Sequence, residues 1–132
     1  PNPGLRPCPP EGGWVKTGQL VPPRHWEDWF ALVQAAVAHA VDRYGLDEVK
    51  HWSFEVWNEL WGMSENNFLL LGQYMTLYNH TARAVKSVSQ QLRVGGPASP
   101  GLALIEDFVQ ACESSGIPYD FVSSHSYPTD TW

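Results

Sequence analysis

Apolar residues in this sequence recur with two alternating periods, and this alternation constrains the fold more than any other feature. Stretches with an apolar side chain every three or four residues, as on one helix face, are followed by short runs rich in β-branched and aromatic residues, as in buried strands. The predicted elements are a helix over 26–44, a strand over 51–58, a helix over 68–85, a strand over 92–96, a helix over 100–115 and a strand over 120–125. Strands joined through helices by short connections form a parallel sheet covered by helices, so the predicted class is α/β.

Capping residues define where the third predicted helix begins and ends. Ser99 is expected to be its N-cap, with Pro100 in the first turn, where the missing amide proton costs nothing. Gly116 supplies the C-terminal stop. The strand before this helix is accordingly expected to end at Gly96.

The residues that follow the strands distinguish a barrel from an open, doubly wound sheet. Polar side chains lie at the carboxyl end of the first strand, within 57–59, and of the third strand, within 124–127. In (β/α)8 barrels the reactive side chains lie at the C-terminal ends of several strands, so this pattern favours part of a (β/α)8 TIM barrel. A complete barrel has about 250 residues and eight strands. Because the sequence offers three strands and starts at Pro1 instead of Met, we expect residues 1–132 to be a fragment of one barrel domain.

The first 25 residues are rich in proline and glycine and predict an irregular loop. Loops longer than about 15 residues within a compact protein are usually functional or disordered. We expect the segment 1–25 to lie on the side of the polar strand ends. His25, at the point where the first helix begins, is therefore a candidate for lining a site there, although an ordinary surface histidine fits the sequence as well.

Charge and motif spacing exclude several classes of function. The formal net charge is −6, and the eight Lys and Arg residues are dispersed, so no nucleic-acid partner is predicted. No apolar run approaches the ~18 residues of a membrane span, so no membrane partner is predicted either. Cys8 and Cys112 do not have zinc spacing, and the histidines lie on different elements, which predicts no metal. No phosphate-loop or dinucleotide motif is present, so no cofactor is predicted. Serines flank His125, but no nucleophile elbow accompanies them.

Glu59 is the residue whose chemistry the sequence marks most clearly. It follows a hydrophobic strand directly, next to Asn58 and between Trp57 and Trp61. Apolar surroundings disfavour the charged form of a carboxyl group, which suits Glu59 to donate a proton. A glutamate that caps the next helix fits the same spacing, so both interpretations remain open. Trp61 is a candidate sugar platform, because a flat indole face stacks on the apolar face of a pyranose.

Hydrolysis of a glycosidic bond by two carboxylates requires a second acid about 5 to 5.5 Å away for retention, or ~6.5 to 9.5 Å away for inversion. Glu55 precedes Glu59 by four residues, roughly 13 Å along a strand that rises ~3.3 Å per residue. We therefore interpret Glu55 as a buried, paired structural acid. Asp120 begins its strand and is expected at the opposite, stabilising end of the sheet. The second carboxylate is expected outside this chain.

Four sequence blocks occur in an order that is typical of one glycosidase family. They are Phe-Glu-Val-Trp-Asn-Glu at 54–59, Tyr-Gly-Leu-Asp-Glu-Val before it at 44–49, Val-Gly-Gly-Pro-Ala at 94–98 and Asp-Phe-Val-Ser-Ser-His-Ser-Tyr-Pro at 120–128. From about Val21 to Asp130 the chain resembles glycoside hydrolase family 39, which contains β-xylosidases and α-L-iduronidases. The prolines before Trp26 and the block 81–88 are more similar to the β-xylosidase branch.

The resemblance implies a retaining glycoside hydrolase with β-xylosidase-like specificity, in which this chain spans helix 3 to strand 6 of the barrel. Glu59 would be the general acid/base at the end of strand 4, and Asn58 would bind the 2-hydroxyl of the sugar. His125 and Tyr127 would line the same subsite. The nucleophilic glutamate would lie on strand 7, beyond this chain, and the partner would be an oligosaccharide or another glycoside. The family usually has proline after the acid/base, where this sequence has Leu60.

Two alternative functions remain at this stage. One is a carbohydrate-binding barrel that keeps an aromatic cleft but has lost catalysis. The other is an α-L-iduronidase-like glycosidase. The presence of a glutamate at the end of strand 7 would distinguish an enzyme from the binding protein.

Overall fold

The structure is a computed structural model that describes residues 22–59 and 67–128. In chain order its elements are α1 (Trp26–Tyr44), α2 (Leu46–Val49), β1 (Ser53–Glu55), α3 (Asn67–Val88), β2 (Arg93–Pro100), α4 (Ile105–Ser115) and β3 (Phe121–His125). The three strands form one sheet in the order β1-β2-β3, and both neighbouring pairs are parallel. The predicted alternation of helices with parallel strands is confirmed, and the described part of the chain is a mixed α/β fragment.

Helix α1 packs beside α3 and runs in the same direction. The indole N–H of Trp29 donates to the Thr81 hydroxyl at 2.9 Å, and five residues further along α1 the amide of Gln34 donates to the Ser87 hydroxyl at 2.8 Å. The partners on α3 advance with those on α1, as expected for parallel helices that each return the chain to the start of a parallel strand. No helix in the described ranges has the length and apolar character to cross a membrane.

The core lies between α3, α4 and the sheet. Residues three and four apart on α3 are buried against Val94 of β2 and the apolar face of α4; they are Tyr74, Tyr78, Ala82 and Val85. The Tyr78 ring meets Phe108 edge to face, with 4.7 Å between ring centroids. The Tyr74 hydroxyl donates to the carbonyl oxygen of Val56 at 3.1 Å, and that of Tyr78 donates to the carbonyl of Pro118 at 3.2 Å. Both polar tips inside the core are therefore paired.

Burial affects the ionisation of three core groups. It raises the pKa of the Cys112 thiol from an ordinary 9.0 to about 11, and it raises the pKa of both Tyr74 and Tyr78 well above the usual 10.0. In each case the unfolded chain loses its proton at a lower pH than the folded chain. The contribution of these groups to stability is therefore complete below about pH 9 and is lost as the pH rises through the folded pKa values.

We expect the free energy of unfolding to fall between pH 9 and pH 11, with Cys112 contributing up to about 1.4 kcal/mol per pH unit. Urea denaturation at a series of pH values measures this slope. Cys112→Ala is less stable at pH 8 because it leaves a cavity, but it should show a shallower decline between pH 9 and pH 10. Identical slopes for the two proteins would contradict the prediction.

Asp120 holds the amino-terminal end of the sheet together. Its Oδ2 atom lies 2.8 Å from Lys86 Nζ and accepts the backbone N–H of Val94 at 2.8 Å. Its own backbone N–H donates to the carbonyl oxygen of Val94 at 2.8 Å. The interpretation of Asp120 as a stabilising acid at the end opposite the polar strand tips agrees with these contacts.

The boundary between β2 and α4 differs from the prediction. Strand β2 continues through Ser99 and Pro100, which pair with Ser124 and His125 of β3, and α4 begins only at Ile105. Ser99 and Pro100 were expected to begin the helix, and that expectation is wrong because pairing with a distant strand outweighs their local preference for a helix start. The first strand is also shorter than predicted, since β1 covers Ser53–Glu55 and is preceded by the unpredicted α2.

Candidate active site

The carboxyl ends of the three parallel strands lie at one edge of the sheet, and two of the predicted site residues meet there. His125 is the last residue of β3, and Glu59 follows β1 by four positions. Although 66 residues separate them in sequence, Nδ1 of His125 lies 2.8 Å from Oε1 of Glu59. Both side chains are partly buried, with 22% of the His125 side chain and 31% of the Glu59 side chain exposed. Glu59 is thus accessible to solvent on one side and bound to an imidazole on the other.

The backbone turns sharply between β1 and Glu59. Trp57 (φ 74°) and Glu59 (φ 42°) both adopt the left-handed conformation, which side chains other than glycine rarely occupy. Such positions cost on the order of 1–3 kcal/mol each and persist only where surrounding contacts hold them. Here the N–H of Val56 donates to Gly95 O at 3.0 Å, and the N–H of Glu59 donates to Ala98 O at 2.9 Å. The turn therefore directs Glu59 across β2 towards β3.

Ala98 is itself held by a hydrogen bond to β3, the neighbouring strand on the side away from β1. Its backbone φ is 53°, and its N–H donates to the hydroxyl of Ser123 on β3 at 3.2 Å. The N–H of Gly101 donates to the carbonyl oxygen of His125 at 2.7 Å. Sequence analysis did not identify Ala98 as part of the site, because nothing in an alanine indicates a left-handed backbone. Hydrogen bonds thus connect all three strand ends around Glu59 and His125.

Glu55 lies closer to this group than the sequence suggested. Its Oε2 atom is 3.7 Å from Nε2 of His125, and 39% of its side chain is exposed. The expectation that Glu55 is buried is wrong for the described residues, because β1 has a neighbouring strand on one side only. The expectation that Glu55 is paired agrees with the contact. The imidazole of His125 consequently lies between two carboxylates, each facing a different ring nitrogen.

Three further predicted site residues, Asn58, Tyr127 and His25, lie within the described ranges. Asn58 is exposed beside Glu59, and Tyr127, two residues beyond β3, is 58% exposed. His25 lies at the start of α1, where the neighbouring Trp26 stacks on His80 with 5.0 Å between ring centroids. His25 is exposed, and no hydrogen bond or ion pair between its side chain and Glu59 or His125 is found among the described residues.

Several predictions fall on residues that the structure does not describe. Trp61 and Leu60 lie outside the described residues, and so does most of the loop predicted over 1–25. The described ranges 22–59 and 67–128 contain no group of three or more His, Cys, Asp or Glu side chains that could hold a metal ion.

The chain that contains these residues matches a family model. The model of glycosyl hydrolases family 39 matches residues 11–132, which is most of the sequence. The chain belongs to glycosyl hydrolases family 39. This agrees with the resemblance carried by the four sequence blocks, of which 54–59 contains both Glu55 and Glu59.

The family 39 chain is similar to characterised enzymes over a limited part of their length. It is 43% identical over 117 residues to a β-xylosidase of Geobacillus stearothermophilus, a match that covers 83% of this chain and 22% of the relative. The structure of a family 39 β-xylosidase from Caulobacter crescentus superposes with a TM-score of 0.70 at 42% identity, covering 78% of this chain and 23% of that one. The family 39 chain thus spans less than a quarter of the length of these relatives.

Identity to the α-L-iduronidases is lower. The human α-L-iduronidase is 27% identical over 112 residues, which cover 74% of this chain and 17% of that protein. The higher identity to β-xylosidases agrees with the branch to which the sequence blocks are more similar.

Proposed function

We propose that this chain is the part of a retaining, β-xylosidase-like glycoside hydrolase that carries the general acid/base, Glu59. The chain would contribute helix 3 to strand 6 of a (β/α)8 barrel, and residues 1–132 would belong to a single catalytic domain. The observation that carries the proposal is the contact between Glu59 and His125 at the carboxyl edge of the parallel sheet. Membership of a glycosidase family and the higher identity to β-xylosidases support it.

The surroundings of Glu59 suit a group that changes its protonation state during the reaction. In the first step Glu59 would give its proton to the oxygen of the leaving group while the nucleophile attacks the anomeric carbon. In the second step the Glu59 carboxylate would take a proton from the water that attacks the glycosyl-enzyme intermediate. An imidazole nitrogen can accept a hydrogen bond from the acid form and, when protonated, donate one to the carboxylate. His125 can therefore stay paired with Glu59 through both steps.

The remaining residues of the proposed site would bind the sugar. Asn58, next to the acid/base in sequence, would hydrogen-bond the 2-hydroxyl, a contact that strengthens in the oxocarbenium-like transition state. Tyr127 would line the same subsite beside His125, and Trp61 would stack on a pyranose ring. His25, which immediately precedes α1, would line the same side of the site. The nucleophile would be a glutamate outside this chain.

The two other interpretations lead to different chemistry. A barrel that only binds carbohydrate would retain the exposed aromatic and polar groups but would not release sugar. An α-L-iduronidase-like enzyme would require a substrate with a carboxylate on the ring. The identity of 27% to the human enzyme, against 43% to a β-xylosidase, favours the xylosidase interpretation.

Hydrolysis by the full polypeptide that carries this chain tests the proposal. Incubation with an aryl β-xyloside, followed by proton NMR, should show β-xylose as the first product before it equilibrates with the α-anomer. Glu59→Gln should abolish most of this turnover. Glu48→Gln, the same substitution on α2 at the other end of β1, should leave it unchanged.

Three results would contradict the proposal in distinguishable ways. Release of α-xylose first would indicate an inverting enzyme. Binding of xylobiose without hydrolysis would indicate the carbohydrate-binding barrel. Hydrolysis of an aryl α-L-iduronide in preference to the xyloside would place the activity with the α-L-iduronidases.

A further inference from the structure

We propose that Glu55 is a positioning residue that acts on Glu59 through the imidazole of His125. The inference rests on the proposed function of Glu59 as the acid/base and adds a third member to the same site. Glu55 would neither touch the sugar nor transfer a proton. Its role would be to determine which nitrogen of His125 carries the proton and how the ring is oriented.

The three side chains come from the two outer strands of the described sheet. Glu55 is the last residue of β1, His125 is the last residue of β3, and Glu59 follows β1 beyond the sharp turn. Oε1 of Glu59 lies 2.8 Å from Nδ1 of the ring, and Oε2 of Glu55 lies 3.7 Å from Nε2. Because each of the two ring nitrogens, which are separated by Cε1, faces a different carboxylate, the ring connects Glu55 with Glu59.

The separation of 3.7 Å identifies the interaction as electrostatic, since a hydrogen bond from an N–H to an oxygen is usually 2.7–3.2 Å long. A negative charge facing Nε2 favours a proton on that nitrogen over a lone pair. A half-turn of the ring about its Cβ–Cγ bond would put Cε1 in the place of Nε2 and Cδ2 in the place of Nδ1, so a protonated Nε2 that faces Glu55 disfavours this turn. Glu55 therefore keeps Nδ1 directed at Glu59.

The backbone contacts of His125 do not determine its tautomer. Glu55 is the last residue of β1, and its Oε2 faces Nε2 of the ring. The backbone of His125 is fixed in β3, and its carbonyl oxygen accepts the N–H of Gly101 at 2.7 Å. These backbone contacts do not determine which of the two tautomers the ring adopts. The carboxylate of Glu55 makes the two tautomers unequal in energy, because it faces Nε2.

Selective ¹⁵N-histidine labelling of the full polypeptide tests the geometry without reference to catalysis. The ¹⁵N chemical shifts distinguish a nitrogen that carries a proton from one with a lone pair. We expect Nε2 of His125 to carry a proton in the wild-type protein, and we expect Glu55→Gln to shift part of the population to the tautomer with a proton on Nδ1 alone. Glu48→Gln should leave the spectrum of His125 unchanged. An unprotonated Nε2 in the wild type, or no change in Glu55→Gln, would overturn the proposal.

Kinetics test whether the effect reaches Glu59. Glu55→Gln should lower kcat/KM for xylobiose on the order of tenfold, through kcat, with an unchanged KM. The kcat/KM for a dinitrophenyl xyloside, which reports the first chemical step alone, should hardly change, because that leaving group departs without protonation. In a His125→Ala background the same substitution should have no further effect, because the residue through which Glu55 acts is absent. An equal loss in both backgrounds would show that Glu55 does not act through His125.

The two proposals fail separately. If Glu59→Gln leaves hydrolysis intact, the acid/base assignment fails while the NMR experiment still reports on the contact between Glu55 and His125. If Glu59 behaves as an acid/base and Glu55→Gln changes neither tautomer nor kinetics, only the role of Glu55 fails.

Discussion

Glu59→Ala in the full polypeptide should slow the cleavage of xylobiose by roughly 10²–10⁴-fold, the range that general acid catalysis contributes. The first chemical step with a dinitrophenyl xyloside should proceed almost normally, because this leaving group needs no proton. Its second step should be slow, since the attacking water has lost its general base. A burst of dinitrophenol followed by slow steady turnover is the expected stopped-flow trace.

Azide provides the control for this prediction. A small anion attacks the glycosyl-enzyme intermediate without a general base, so azide should restore turnover of the dinitrophenyl xyloside by Glu59→Ala and yield a β-xylosyl azide. It should not accelerate the wild-type protein. If azide has no effect, all substrates lose activity equally and the melting temperature falls strongly, then Glu59 is a structural residue and the assignment of the site is wrong.

Gly96→Ala should destabilise the protein by about 3 kcal/mol, at the upper end of the cost of overpacking a core. A Cβ atom at Gly96 would collide with the Tyr74 hydroxyl. Tyr74 is only 2% exposed and its hydroxyl is bonded to the carbonyl of Val56, so the ring cannot move aside without breaking that bond. Since Val56 precedes the turn that holds Glu59, activity should fall with stability.

Gly72→Ala is the matched control for this substitution. Gly72 lies in α3, and a Cβ atom there would have no neighbour within 4 Å. Alanine should therefore stabilise the helix by roughly 0.5–1 kcal/mol. Urea denaturation of the two variants measures both changes, and a Gly96→Ala protein as stable as Gly72→Ala would contradict the packing argument.

The spacing of apolar residues was sufficient to predict those helices and strands that have a continuous apolar face. The spacing that ends at Val85 predicted α3, because every third or fourth residue of a helix is buried. The strand-like run that ends at His125 predicted β3, because every second residue of a strand is buried. The resemblance to family 39 then placed Glu59 and His125 in one subsite, and the structure brings them into contact. Polar residues after successive parallel strands were the signal for the edge at which they meet.

The remaining features depend on contacts between distant residues. Ser99 and Pro100 have a local preference for a helix start, but their pairing with β3 places them in a strand. Hydrogen bonds from the neighbouring residues to β2 impose the left-handed backbone of Trp57. The sequence has no glycine at this position that would have predicted such a backbone. Glu55 was judged by its distance along one strand, whereas its contact is with a side chain from another strand of the sheet.

The hydroxyl of Ser123 accepts a hydrogen bond from the N–H of Ala98, and the carbonyl oxygen of the same residue accepts one from the N–H of Glu59. A serine two residues before a histidine, on the same strand as that histidine, invites assignment as a nucleophile when its replacement lowers turnover. Here we expect such a loss to arise from the backbone, because without the Ser123 hydroxyl Ala98 would no longer be held against the turn that positions Glu59. A mutational survey that measures activity alone would therefore classify Ser123 as catalytic, whereas its hydroxyl supports the backbone at Ala98.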